Sequence, residues 1–194
     1  MDKRQEMIQL RREAEHIRAT VCDPASALVL GEGDLDARLM IVGEAPGHVE
    51  DERQRPFVGP SGQFLDAELA RAGIERELTY ITGVVKCRTV TPGGNANRTP
   101  TKREIDAWLP ILLREIEIVT PRIILCLGST AASTLIHERF RMSGERGEWR
   151  DGPHGIRTLA TYHPAYVKRW SNVSGERLYE FRRDIQAVAR ALAT

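Results

Sequence analysis

Two short segments of the chain place a residue capable of chemistry beside glycine or proline. Residues 43–47 read GEAPG and put the Glu44 carboxylate directly after an apolar run. Residues 162–165 read YHPA and put His163 directly after another apolar run. A Gly/Pro loop lets backbone N–H groups approach a flat ligand closely, and a histidine changes charge near neutral pH. Taken alone, Glu44 could equally be a solvated loop acid and His163 a structural histidine, so the surrounding elements must decide.

Around these segments, short apolar runs alternate with amphipathic helical segments. This alternation predicts an α/β fold with a mainly parallel sheet that is covered by helices on both faces. Thr101 and Glu104 form a capping box that opens one of the helices. The predicted strands are Leu39–Val42, Tyr80–Val85, Ile123–Leu127 and Ile156–Thr161, and the predicted helices cover 1–20, 64–72, 101–119, 129–138 and 175–194.

The polar and Gly/Pro-rich segments all follow predicted strands. Ligands of parallel α/β sheets bind at the carboxyl ends of the strands, so segments 43–47, 83–88, 128–130 and 162–165 should meet at one rim. Several basic residues lie in or near these segments. They suit a nucleic-acid phosphate backbone, or they are a solvated surface, and the residues alone leave both interpretations open.

The composition is that of an ordinary globular protein. The chain has 194 residues, of which 41 % are hydrophobic, and a net charge of +1, which predicts a single domain over residues 1–194. No apolar run approaches the roughly 20 residues of a membrane span, and the charged N-terminus is unlike a signal peptide. We therefore expect a cytoplasmic protein with no membrane attachment. Three cysteines without a close pair predict reduced thiols rather than a disulfide framework, and they predict no metal site.

Four ordered blocks of the sequence resemble the uracil-DNA glycosylase superfamily, in particular its family 4. They are GEAPG at 43–47 with PFVG at 56–59, YIT at 80–82 with VVKCR at 84–88 and NRTP at 97–100, LG at 127–128 with AA at 131–132, and TYHPA at 161–165. The resemblance covers residues 27–190. It implies a three-layer α/β/α sandwich around a mainly parallel four-stranded sheet.

The resemblance implies a DNA glycosylase of base-excision repair. We expect it to be monofunctional, to need no cofactor and to act on DNA as a monomer. Such an enzyme flips uracil, or a related deaminated base, out of the stack and hydrolyses its N-glycosidic bond. By this resemblance, Glu44 and the 43–47 backbone hold the attacking water and the base, and Phe57 stacks on the base. His163 donates a hydrogen bond to the base O2 as negative charge develops on the leaving group.

The site residues that we expect from the sequence and the resemblance fall into three groups. The expected catalytic residues are Glu44 and His163; the expected base-binding residues are Gly43, Ala45, Pro46, Gly47, Phe57 and Gly83; the expected DNA-binding residues are Lys86, Arg88, Arg98, Ser129, Pro164, Ala165, Lys168 and Arg169.

The sequence departs from the family pattern at two places that affect the substrate. Gly83 stands where the family has an asparagine that reads the Watson–Crick edge of uracil, so either another group fills that role or a different base such as hypoxanthine or xanthine is accepted. A non-catalytic DNA-binding module on the same scaffold is a further alternative. Lys168 stands in the segment that wedges into the duplex in the family. A lysine there favours phosphate contact and a preference for single-stranded DNA.

The 4Fe–4S cluster of family 4 is expected to be lost. Such a cluster is held by four cysteine thiolates, and only Cys87 matches a ligand position clearly. Trp108 stands at a second ligand position, and Cys22 lies too close to Gly31 to match the N-terminal pair. We expect Trp108 and neighbouring apolar groups to pack that region instead.

Overall fold

The structure is a computed structural model that describes residues 2–93, 96–170 and 175–194. Its strands are β1 (Glu32–Gly33), β2 (Leu39–Gly43), β3 (Thr79–Gly83), β4 (Ile123–Leu127), β5 (Trp149–Asp151) and β6 (Arg157–Thr161). Its α-helices are α1 (Lys3–Val21), α2 (His48–Arg53), α3 (Pro60–Arg71), α4 (Lys102–Val119), α5 (Ser129–Leu135), α6 (Met142–Glu145), α7 (Pro164–Trp170) and α8 (Glu176–Leu192).

The described strands form one sheet in the order β1-β3-β2-β4-β6-β5. The four predicted strands are its parallel centre, whereas β1 and β5 are short antiparallel edge strands that the predicted four-stranded sheet lacked. With two and three residues, these edge strands are too short to show a period of two in the sequence. The predicted strand 80–85 ends at Gly83, because the next two N–H groups donate to the carbonyls of Gly43 and Glu44 at 3.0 Å.

Alternate side chains of the sheet pack against helices on opposite faces. Met40 and Val42 of β2 belong to one hydrophobic core, which also contains Trp108 of α4. Leu39 and Ile41 belong to the other core, which is completed from α3, α7 and α8. This arrangement confirms the three-layer α/β/α sandwich, and it places the carboxyl ends of the parallel strands at one rim.

Helices α1, α4 and α8 begin within two residues of their predicted starts, whereas α3 begins at Pro60, four residues before the predicted start at 64. Helix α4 opens with the predicted capping box, in which Thr101 accepts from the backbone of Glu104 and the Glu104 side chain accepts from the backbone of Thr101. Helix α1 packs on α4 and buries Leu10 and Ala14, which lie four residues apart on one helical face. None of the described helices is long and apolar enough to cross a membrane.

Cys22 and Cys87 form a disulfide, so the expectation of reduced thiols is wrong for this pair. The two residues are separated by 65 positions in the sequence, and the packing of α1 beside the segment after β3 brings them together. The third cysteine, Cys126, is free and fully buried in β4, where burial raises the pKa of its thiol.

Candidate active site

A cavity of about 620 Å³ opens at the carboxyl ends of the parallel strands. Loop 43–47, the end of β3, the residues after β4 and the residues after β6 all contribute to its wall, as the strand-end rule predicts. Its volume is within the range of small-molecule sites. Of the expected site residues, those that line it are Glu44, Ala45, Pro46, Gly47, Phe57, Gly83, Arg98, Ser129, His163, Ala165 and Arg169.

The Glu44 carboxylate is held in place by a hydroxyl of α5. The Thr130 Oγ1 donates to Glu44 Oε2, and the Val85 N–H donates to the Glu44 carbonyl at 3.0 Å. No other donor among the described residues contacts this carboxylate, and Glu44 is half-buried at the cavity wall. No local motif marks this role of Thr130, because its contact with Glu44 spans 86 residues of the chain.

The His163 imidazole is neutral near pH 7 and carries its proton on Nε2. Burial lowers its pKa from 6.5 to about 4, and the nearby Glu50 carboxylate offsets this effect only in part. The Ala165 N–H donates to Nδ1 at 3.2 Å, so Nδ1 is an acceptor and Nε2 is the donor. Gly128 permits this placement, since its φ is +93° and an added Cβ would lie 3.2 Å from the His163 Cβ.

Phe57 covers the floor of the cavity from a left-handed backbone conformation. Its φ is 53°, which is unusual for an aromatic residue and costs conformational energy. Its ring lies 6.0 Å from that of His163, and a Cβ on Gly43 would lie 2.4 Å from it. Gly43 therefore acts by leaving room for the ring rather than by lining the cavity. The Arg76 guanidinium holds this loop by donating to the carbonyls of Pro56 and Phe57 at 3.0 and 3.2 Å.

Lys86 is fully buried, so its predicted contact with DNA is wrong. Its Nζ donates to Gly83 O at 2.6 Å and to Thr82 Oγ1 at 2.7 Å, and it pairs with Glu115 of α4 at 2.5 Å. Burial lowers the pKa of Lys86, and the Glu115 charge opposes that change. The lysine thus anchors the end of β3, where Gly83 meets the cavity. A Cβ at Gly83 would lie 3.1 Å from the Val85 carbonyl oxygen, so a side chain at this position requires a small shift of the neighbouring backbone.

The other expected DNA-binding residues divide into those that line the cavity and those that do not. Arg98, Ser129, Ala165 and Arg169 line it, whereas Arg88, Pro164 and Lys168 do not. Arg98 is at the cavity, but its guanidinium forms two hydrogen bonds to Glu104, which help to lower the pKa of that carboxyl to about 2. Arg88 donates to Asn97 Oδ1 at 2.7 Å. Pro164 is buried at the start of α7, and Lys168 donates to the Pro60 carbonyl at 3.1 Å.

The residues around Cys87 do not fit a 4Fe–4S cluster, which requires four thiolates. Cys22 and Cys87 share a disulfide, and Cys126 is buried within β4. Trp108 is fully buried, as expected, and its Nε1 has no hydrogen-bond partner among the described residues. An indole and a disulfide supply no ligand set for such a cluster.

Comparison with known proteins identifies the family to which this fold belongs. The family model described as "Uracil DNA glycosylase superfamily" matches residues 30–187. The chain belongs to this superfamily. A type-4 uracil-DNA glycosylase of Thermotoga maritima is 43 % identical over 143 residues, which are 73 % of this chain and 72 % of that protein. One from Pyrobaculum aerophilum is 40 % identical over 164 residues, 81 % of this chain and 79 % of that protein. A type-5 uracil-DNA glycosylase of Thermus thermophilus is 30 % identical over 187 residues, 85 % of this chain and 80 % of that protein.

Proposed function

We propose that this protein is a DNA N-glycosylase that hydrolyses the bond between uracil and deoxyribose and leaves an abasic site. The observation that carries the proposal is the pairing of Glu44, held by Thr130, with a neutral His163 at one cavity. The superfamily, and the uracil-DNA glycosylases that are similar to this chain, support the same reaction.

The arrangement suits cleavage with a departing base anion. As the N-glycosidic bond breaks, positive charge develops on the sugar, and the Glu44 carboxylate stabilises it while binding the attacking water. The His163 Nε2–H donates to the base O2, where negative charge accumulates, and Phe57 stacks on the flipped base. A fixed donor of this kind contributes about 2.7–4 kcal/mol to transition-state stabilisation in other enzymes.

Gly83 favours a second candidate substrate class, the deaminated purines hypoxanthine and xanthine. It leaves the end of β3 without a side-chain amide at the cavity, so the site lacks one reader of the uracil edge and retains additional space. A bidentate amide–base contact is typically worth about 1–3 kcal/mol of discrimination.

Several finer properties belong to the same proposal. We propose a single domain that acts as a monomer, since the cavity wall is built from one sheet of one chain. We propose that no cluster is bound, since the ligand set does not fit. A preference for single-stranded DNA and a cytoplasmic location complete the proposal, and the basic Lys168 and Arg169 on α7 support the first of these.

The test is base release from oligonucleotides that carry uracil, hypoxanthine or xanthine, in single- and double-stranded form. We expect uracil release by the wild type and its loss in His163→Ala and Glu44→Ala. Release of hypoxanthine or xanthine without release of uracil would show that the substrates are deaminated purines. DNA binding without release of any base would support a non-catalytic module. In Gly83→Asn, discrimination in favour of uracil should rise by about 5- to 150-fold if the missing amide determines specificity.

A further inference from the structure

Three aromatic rings extend in a row from the end of β6 along α7. Tyr166 and Trp170 are spaced four residues apart on one face of α7, and Tyr162 precedes that helix by two residues. The ring centroids of Tyr162 and Tyr166 are 5.2 Å apart, and those of Tyr166 and Trp170 are 6.3 Å apart. We refer to these three residues as the aromatic ladder.

The outer two rings of the aromatic ladder are exposed. The exposed fraction is 39 % for Tyr166 and 43 % for Trp170, against 7 % for Tyr162. Neighbouring exposed aromatic rings beside a ligand cavity mark an interaction surface. Tyr166 and His163 both line the cavity, so the surface formed by these rings is continuous with the candidate active site.

The inner end of the aromatic ladder is anchored to the protein. The Tyr162 hydroxyl accepts from Arg177 at 2.8 Å and donates to Glu180 at 3.1 Å. The Tyr166 N–H donates to the His163 carbonyl at 2.9 Å, which fixes the start of α7 relative to the catalytic ring. The exposed rings therefore have a defined position relative to a base in the cavity.

We propose that the aromatic ladder is a stacking platform for unpaired bases of single-stranded DNA next to the flipped nucleotide. The proposal rests on the proposed function, because a nucleotide in the cavity determines where the strand continues. Aromatic rings stack on any base, and Arg169, exposed at the cavity beside Tyr166, supplies a charge for the phosphates.

The tilt between the two exposed rings indicates why a single strand fits better than a duplex. The planes of Tyr166 and Trp170 differ by 48°. The faces of bases inside a duplex are covered by the neighbouring base pairs, whereas unpaired bases can turn independently and lie flat on rings of different tilt. Each exposed ring can then bind one base.

The test measures binding of a fluorescently labelled single strand without uracil, and of its duplex, by anisotropy. We expect Trp170→Ala and Tyr166→Ala each to weaken single-strand binding by at least about fivefold, the lower end of the loss of one base–aromatic stack. Trp170→Phe retains a ring and should lose less. Tyr179→Ala is the matched control, since Tyr179 is 69 % exposed on α8 and, among the described residues, its ring contacts none of the three rings of the aromatic ladder.

A second readout detects stacking directly. A 2-aminopurine placed within the same uracil-free strand should be quenched when the wild type binds, and Trp170→Ala should relieve the quenching. Single-strand affinities within twofold of the wild type, or an equal loss for the duplex, would overturn the proposal. Because the strand carries no uracil, these results do not depend on base release, and absent uracil excision would count only against the proposed function.

Discussion

Breaking the buried ion pair between Lys86 and Glu115 should strongly destabilise the fold. Both side chains are fully buried, and Glu115 also accepts from Gly31 N, Tyr80 OH and Thr82 Oγ1 at 2.9, 3.1 and 2.8 Å. Lys86→Met removes the positive charge and leaves the carboxylate buried without a counter-charge. Removing one partner of a buried pair typically costs about 3–5 kcal/mol, a large share of the roughly 5–15 kcal/mol that stabilises a domain.

A double-mutant cycle separates the charge imbalance from the loss of packing. Lys86→Met combined with Glu115→Gln removes both charges and should restore much of the stability lost in Lys86→Met alone. Urea unfolding followed by tryptophan fluorescence gives the free energy of unfolding for each variant. The exposed pair Lys102–Asp106 offers a control, since Lys102→Met should change stability by less than about 1 kcal/mol.

The same lysine holds the Gly83 carbonyl at the end of β3, so the double variant should also bind substrate less well. A loss below about 1 kcal/mol in Lys86→Met, or a double variant no more stable than the single one, would refute this reasoning.

Three further outcomes follow from the site and the disulfide. Thr130→Val should slow base release about tenfold by freeing the Glu44 carboxylate, whereas Thr130→Ser should retain most of the rate; equal rates in single-turnover assays would contradict this role. The low pKa of His163 predicts no break in the rate near pH 6.5, and an NMR titration should place its pKa near 4. Because that pKa is lowered on folding, its contribution to stability is present above pH 6.5 and is lost as the pH falls from 6.5 through about 4. Reduction of Cys22–Cys87 should lower the free energy of unfolding by about 2–4 kcal/mol, and Cys22→Ala should make the protein insensitive to reductant.

The main elements of the fold were predictable because their signals are local. A buried parallel strand such as β4 is a continuous apolar run, and the capping box at Thr101 marks the start of α4 within four residues. The cavity at the strand ends was predictable by a general rule, since parallel strands bring their carboxyl ends to one edge. The edge strands β1 and β5 were missed because pairing with a neighbour, rather than their own short sequence, defines them.

Long-range contacts explain the wrong interpretations of individual residues. Lys86 follows a strand beside other basic residues, and nothing local shows that Glu115 lies next to it in the interior. Cys22 and Cys87 were read as separate thiols because their distance along the chain gives no measure of their distance in space. Arg76, which holds the Phe57 loop, belongs to no sequence motif, so its role could not be predicted.

The sequence by itself determined the α/β class, the order of the main elements and the presence of Glu44 and His163 at strand ends, because periodicity, caps and strand-end motifs depend on neighbouring residues. Only the tertiary structure decided the Thr130 contact to Glu44, the neutral Nε2–H form of His163, the burial of Lys86 and the tilted rings of the aromatic ladder. These properties depend on which groups meet across the sheet and on how far water is excluded from them. Hydrogen bonding and desolvation are set by the packed structure, and no local pattern of residues encodes them.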